Sequence, residues 1–264
     1  MKKFKKYLSI FKLIFLTRLS ADLSFRMSFL ATIIGSFCFI FLYMATLFLL
    51  MPHVQFGIWG QKEMWLFLGI FLIFCYTIFY IFWRGLWFLP ENIRNGQLDY
   101  FMTKPIDLQF LVSILGGGTN NLLAVIFGVI LTVWSASILG LQISILNLLF
   151  FIVTLSLSIL DFYSMAFFFV ILNLRFGYLG EAAYEIWDLQ SFSRYPIEAF
   201  NKIPLIGYFI AIPFSLIITI PAKTLLVSTL QYGEIFIFSL ISIFLIYAVR
   251  KFWQHEIKFY TSGN

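Results

Sequence analysis

Twelve acidic residues, two histidines and two cysteines make up the acid–base, nucleophilic and metal-ligating side chains of this 264-residue chain, and their spacing converges nowhere. His53 and His255 lie far apart with no Cys or carboxylate beside them, so no metal-ligand set is spelled out. Cys38 and Cys75 each sit midway along an apolar run and read as small buried hydrophobes, not as a disulfide framework. Catalysis on lipid within the membrane needs acids, histidines or metal ligands gathered near one interface, and no paired acidic motif is present. The chain also lacks Gly-x-x-x-x-Gly-Lys-Ser/Thr: Gly116-Gly117-Gly118-Thr119 has no lysine, so ATP hydrolysis by a phosphate-binding loop of its own is excluded.

Two acidic features remain. Asp161 lies inside an apolar run, flanked by Ile159, Leu160 and Phe162. An ionised aspartate at a bilayer centre costs about 2.5–3.5 kcal/mol on insertion scales, so it faces a bundle interior, a partner or a water-filled path. It marks either a transport path or subunit interface, or an acid bonded to a nearby hydroxyl (Ser158, Tyr163 or Ser164) that fixes packing. Glu181, Glu185 and Asp188 are spaced to share one helical face, which is either a solvated surface or a contact for a basic partner.

The densest polar chemistry is in residues 89–107, Leu-Pro-Glu-Asn-Ile-Arg-Asn-Gly-Gln-Leu-Asp-Tyr-Phe-Met-Thr-Lys-Pro-Ile-Asp, between two long apolar runs. A mere reversal of direction takes about 4–6 residues; this connection is far longer and carries both charge signs. Pro90 suits a first helical position and Glu91 complements a helix N-terminus. Gly96 closes that turn, and Gln97 to Met102 make a second short one, stopped at Lys104-Pro105. Short helices lying across a membrane face are what a soluble partner grips. A weak echo follows: Phe101-x-x-x-Pro105-Ile106-Asp107 is matched by Phe192-x-x-x-Pro196-Ile197-Glu198.

The elements that hold these groups must live in lipid. The chain is 61% hydrophobic, with 35 Phe, and 11% charged, against about 25% charged in a soluble domain. Apolar runs at about residues 28–51, 64–83, 112–139, 146–172, 204–222 and 233–250 are each near the ~20 residues that cross a bilayer. The first is too long for the core of a cleaved signal. The three glycines from Gly116 predict an irregular start to the third. Pro204, Pro213 and Pro221 predict a broken or re-entrant fifth segment, continuing to Gln231. Before the first run, Phe4, Tyr7, Leu8, Phe11, Phe15 and Leu19 recur at helical spacing, with Lys5, Lys6, Lys12 and Arg18 mostly off that face. This is an amphipathic helix for the headgroup plane or for a protein surface. Trp59, Trp65, Trp83, Trp87 and Trp253 lie near span ends, as interface anchors do. With the N-terminus inside, all but Lys62 and Lys223 of the 18 basic residues fall on the cytoplasmic side. The expected fold is therefore all-α and integral to the membrane: six transmembrane helices after an N-terminal interface helix, with both termini cytoplasmic. It forms one domain over 1–264, with cytoplasmic elements at 1–26, 84–107 and 173–203.

The stretch Asn95-Gly96-Gln97-Leu98-Asp99-Tyr100 with Lys104-Pro105, then Arg194-Tyr195-Pro196-Ile197-Glu198-Ala199-Phe200, then Phe259-Tyr260-Thr261-Ser262-Gly263 resembles the permease subunits of type-2 ABC exporters. The likeness covers the whole chain in topology and these three stretches in sequence; Asn95 stands where that family more often has Ser. The resemblance implies a coupling element between the second and third spans that docks a separate ATPase subunit. Glu91, Arg94, Gly96, Leu98, Asp99, Lys104 and Pro105 would make that contact, with Leu98 as its apolar knob. Arg194, Tyr195, Pro196 and Glu198 would form a second cytoplasmic contact. It further implies two permeases, identical or paralogous, with two ATPases that bind ATP and Mg, no cofactor on this chain and no nucleic acid. Two other classes fit the composition: an anchoring or assembly protein that moves nothing, and a secondary transporter without an ATPase partner. The latter lacks the matching broken helices in two halves that such carriers show.

Overall fold

The computed structural model describes residues 2–50, 55–115, 118–176, 182–201, 204–226 and 232–260. His53, Gly116, Gly117, Glu181, Lys202, Gln231 and the tail from Thr261 lie outside the described residues, as does the side chain of Glu185. In chain order the helices are α1 (Lys2–Ser24), α2 (Arg26–Leu50), α3 (Gln61–Ile78), α4 (Arg84–Arg94), α5 (Gln97–Met102), α6 (Leu108–Ile114), α7 (Leu122–Ile138), α8 (Ile145–Phe176), α9 (Ala182–Gln190), α10 (Leu205–Leu225) and α11 (Tyr232–Glu256). Four stretches are long and apolar enough to cross a membrane: α2, Gln61–Arg94, Ile145–Leu172 and Tyr232–Phe259. Two shorter apolar stretches, Leu122–Ile138 and Phe209–Leu225, accompany them. All described secondary structure is helical apart from an isolated bridge between Phe56 and Trp59.

The backbone of the bundle is a rod. A wide π-helical turn, Phe79–Trp83, joins α3 to α4 without a break, so Gln61–Arg94 is one helical piece of 34 residues, about 50 Å long at 1.5 Å per residue. This corrects the expectation for Pro90, which lies inside α4 and not at a helix start. An interior proline costs about 3 kcal/mol, but Leu86 and Leu89 are completely or almost completely buried in the same turns. Packing outweighs propensity here, since burying each such side chain contributes about 1.5–3 kcal/mol.

Against the rod, α7 runs antiparallel and close. A Cβ on Gly69 would stand 2.8 Å from the Thr132 backbone nitrogen, and one on Gly128 would stand 2.9 Å from that of Ile73. Small residues permit such backbone approach in lipid, where packing replaces the hydrophobic drive. The expected third run is split: α6 ends at Ile114, Gly118 is extended and a 3₁₀ turn at Thr119–Asn121 restarts the helix. By contrast α10 continues through Pro213 and Pro221, which corrects the expected broken segment. Ser215 and Thr224 donate to the carbonyls of Ile212 and Pro221, and hydroxyls of this kind re-satisfy a proline-containing helix.

α8, α10 and α11 form the second half of the core. Ser158 of α8 donates to the Ile217 carbonyl of α10 at 2.6 Å, and Ser242 of α11 donates to Asp161 of α8 at 2.6 Å. α1 packs through Tyr7, Phe15 and Asp22: Tyr7 meets Phe110 edge-on at 4.8 Å, Phe15 meets Tyr80 at 5.7 Å, and Asp22 accepts from Thr119. Leu8, on the apolar face read from the sequence, is exposed together with Leu13, Leu16 and Leu23. α2 is mostly outward-facing, with only Ile40, Tyr43 and Leu47 fully packed.

Candidate functional site

At Arg94 the rod ends and the chain turns sharply. Gly96 has φ +68°, a left-handed conformation that side chains other than glycine adopt at a cost of roughly 1–2 kcal/mol. Asn95 and Gly96 donate to the carbonyls of Glu91 and Ile93, and Asp99 donates back to Gly96. The result is an elbow, α4–Gly96–α5. Glu91 and Arg94 are exposed on its first arm, and Tyr100 and Met102 on its second. Lys104 lies over the Tyr100 ring, 4.0 Å from its centre. Pro105 follows the end of α5, and its carbonyl accepts from Lys6 of α1 at 2.8 Å. Leu98 is the exception: it is fully buried within the chain's own core, which corrects its expected role as an outward apolar knob. The short α5 must bury one side chain to stay docked on α4, and Leu98 is that side chain.

The elbow is tied to the bundle by a polar network that sequence reasoning missed. Asp107 caps α6 by accepting from Phe110 N at 3.0 Å and makes a two-pronged ion pair with Arg250 of α11. The same guanidinium donates to Gln109 Oε1 at 2.6 Å. Gln109 donates to the Tyr163 hydroxyl at 3.0 Å, and that hydroxyl meets Ser113 Oγ at 2.8 Å. Burial alone would raise the Asp107 pKa; hydrogen bonds from Arg250 and from Phe110 N outweigh it and hold the group below its ordinary 3.8. An acid directly before an apolar run is an N-cap signal, so Asp107 was legible as a cap. Its pairing with a residue 143 positions away was not. Nearby, Asp99 and the phenol of Tyr260 are close enough that burial, then the carboxylate, push that phenol's pKa up. The first and third of the family-like stretches therefore meet.

The second stretch does not join them. Tyr43 of α2 donates to the Arg194 carbonyl at 2.8 Å, Tyr195 meets Phe56, and Pro196 is buried. Glu198 accepts from Trp59 Nε1 at 2.9 Å and pairs with Lys223 at 3.2 Å. Lys223 also reaches Glu234 at 3.5 Å. Glu234 and Arg250 are separated by 16 residues of α11, about 24 Å, so Glu198 lies at the opposite end of the bundle from the elbow. This corrects the placement of Arg194, Tyr195, Pro196 and Glu198 on the elbow's side; within 173–203, Arg175 stays at the elbow's end, paired with Glu256 at 2.9 Å. The reason is α9. Its Trp187 packs on Phe79 and Trp83 at 4.6 and 5.0 Å, and the chain then threads along α3 toward Trp59. Among the described residues, the segment from α9 to Phe200 packs along α3 and α10 inside the bundle.

The family model for ABC-2 family transporter protein matches residues 29–263. The chain belongs to the ABC-2 transporter family. No curated protein and no solved structure matches it. This permease is a multi-pass membrane protein of a family that normally lacks ATPase motifs, and no metal-binding group of His, Cys, Asp and Glu occurs among its described residues.

Asp161 of the permease is buried, at 4% exposure, and its partner is Ser242 of α11. Ser158, offered by sequence as a partner, bonds elsewhere, to Thr154 and Ile217. The second oxygen of Asp161 has no hydrogen-bond partner among the described residues, and the residue lines a cavity of about 320 Å³ walled by Pro213, Leu216 and Phe238. The acid thus both pins α8 to α11 and lines a cavity. Of the expected acidic face, α9 is helical and Asp188 is exposed.

Proposed function

We propose that this permease is the membrane subunit of an ATP-driven exporter. In this reading α4–Gly96–α5 is the coupling element that receives a separate ATPase, which binds ATP and Mg. Two permease copies, or this chain and a paralogue, pair through outward faces such as that of α2. The six crossings are α2, the rod, α7, α8, α10 and α11, and α1 lies at the cytoplasmic interface. The elbow end is cytoplasmic. It carries Lys6, Arg94, Lys104, Arg175 and Arg250, whereas Lys62 and Lys223 mark the other end, an asymmetry that follows the positive-inside rule.

The observation that carries this reading is the exposed elbow at the end of a helix that runs the full depth of the bundle, in a chain of the ABC-2 family. Pressure on α5 reaches the spans by two routes: along the rod through α4, and across Asp107–Arg250 into α11. The contact residues are Glu91, Arg94, Asp99, Lys104 and Pro105, with Gly96 setting the bend and Leu98 holding α5 in place. Glu91 is exposed, so Glu91→Lys tests the surface without disturbing the core. The variant is expected to keep wild-type thermal stability and to lose co-purification of the ATPase in mild detergent. Undiminished recovery and ATP-driven turnover with Glu91→Lys would remove Glu91 from the contact. Failure of the wild-type chain to retain any protein with a phosphate-binding loop, even after crosslinking, would overturn the exporter reading.

A further inference from the structure

Beside the turn Ser191–Arg194, where the chain passes the middle of α2 and α3, lies a cavity of about 550 Å³. Phe39 and Tyr43 of α2, Phe71 and Phe79 of the rod, and Trp187 of α9 supply aromatic wall. Arg194 also lines it, with the guanidinium carbon 5.5 Å from the Phe39 ring centre and 5.9 Å from that of Tyr43. Its Nε is buried and has no acceptor, and Gln190 Oε1 on the same wall is buried and has no donor, both among the described residues. No ion pair to Arg194 occurs among the described residues either. Glu198 and Glu234 both face Lys223, Glu198 also holds the Trp59 indole, and Asp188 of α9 is exposed.

The depth of this arginine makes the arrangement informative. Phe39 is 13 residues into α2, about 20 Å along its axis, so Arg194 stands well within the membrane-spanning part of the bundle. An arginine at such depth costs about 2.5–3.5 kcal/mol unless it faces a partner or a polar cavity. Irregular backbone at membrane depth is tolerated where it lines a cavity, and interrupted helices of this kind frame substrate sites in transporters. A guanidinium oriented by two rings keeps its planar fork free to meet a carboxylate or phosphate. We infer that this cavity binds an amphipathic organic anion, its charged group held by Arg194 and its ring or acyl body laid against Phe39, Tyr43 and Trp187. That the bound anion is cargo rests on the exporter reading; that it binds does not.

The test uses the full chain in nanodiscs of phosphatidylcholine and two probes of one shape, 1-pyrenebutyrate and 1-pyrenebutanol. Binding is read as tryptophan-to-pyrene energy transfer, since Trp187 is in the wall. The wild type is expected to prefer the acid by about tenfold, equivalent to ~1.4 kcal/mol. Arg194→Gln brings the two probes to parity, and Arg194→Lys keeps most of the preference. Gly35→Leu is the companion variant: a Cβ on Gly35 meets nothing within 4 Å and the residue lines the cavity, so the leucine fills space without a clash. It is expected to weaken both probes about tenfold while raising helix propensity. Parity of the probes on the wild type, or a preference that survives in Arg194→Gln, overturns the inference. If Arg194→Gln does not fold, undiminished acid binding by Gly35→Leu does so. Adding phosphatidylglycerol to the nanodiscs separates the sources: displacement of the acid identifies a lipid headgroup phosphate as the occupant, and retention identifies a free amphipathic acid. No ATPase is needed, so failure here is distinct from failure of the exporter reading.

Discussion

Asp107→Asn is the sharpest perturbation of the link between elbow and bundle. Asparagine is as good a helix cap as aspartate, so the substitution keeps the bond to Phe110 N and removes only the charge that faces Arg250. Hydrogen bonds to charged groups contribute about 1.5–3 kcal/mol, but side-chain exposures of 31% and 36% call for a discount, because exposed pairs contribute only ~0–1 kcal/mol. A coupling of about 1–2 kcal/mol results for this partly buried, two-pronged pair. It is read from a double-mutant cycle of Asp107→Asn and Arg250→Gln in detergent-solubilised chain. The pH dependence has a fixed sign. The folded pKa is below the ordinary value, so the stabilisation is complete above 3.8 and is lost as pH falls through the folded value. The gap in stability between wild type and Asp107→Asn is therefore widest at neutral pH and closes in acid. Coupling under about 0.3 kcal/mol, within the additivity expected of independent sites, would refute the link. So would a gap that widens on acidification.

Two further outcomes follow from the ends of the bundle. Gly96→Val places a β-branched residue at φ +68° and is expected to cost about 1–2 kcal/mol, seen as a lower unfolding temperature together with loss of the ATPase on purification; Gly96→Asn, which tolerates that conformation better, restores part of both. Lys223→Met leaves Glu198 and Glu234 without their shared cation and is expected to lower stability by about 1–3 kcal/mol at neutral pH. Adding Glu198→Gln recovers part of it, because the amide still accepts from Trp59; a double variant no more stable than Lys223→Met counts against the shared-cation reading.

The membrane class and several of the long apolar helices were legible because lipid imposes length and apolarity on each crossing: α2 matches its apolar run at both ends within two residues, and α8 and α11 begin within one residue of theirs. The bend at Gly96 was legible for a similar reason: one residue type satisfies a left-handed backbone. Pro90 misled because a local rule about helix starts lost to Leu86 and Leu89, whose burial is decided by residues far away in sequence. Leu98 misled because an apolar residue in a polar loop reads alike whether it faces a partner or its own core. The largest error, placing Arg194 and Glu198 on the elbow's side, came from treating a polar stretch between two apolar runs as a loop that stays outside the membrane. A re-entrant segment has the same composition when its polar groups are spent inside the bundle. Glu198 is satisfied by Trp59 and Lys223, and the carbonyl of Arg194 by Tyr43. Composition does not record such partners.

The rod connects what these two regions do. Residues Phe71 to Phe79 wall the Arg194 cavity, and the same helix continues through the π turn into α4 and the elbow. A π turn carries an extra residue per turn and recurs at functional positions in helices; here Phe79 and Trp83, at its two ends, both grip Trp187 of α9. Any rotation of α4 about the rod axis must carry these rings with it or break their contacts with Trp187, and Trp187 stands on the cavity wall, seven residues before Arg194. A force delivered at Gly96 therefore reaches the cavity through rigid helix and packed aromatics, with no flexible joint in between. The alternative route, through Asp107 and Arg250, leads instead to α11 and, by way of Ser242, to Asp161 on the other side of the bundle. The elbow is thus connected to both cavities by separate paths. Breaking one path with Asp107→Asn leaves the other intact, so in the exporter reading proposed above the two contributions to coupling are separable in one chain.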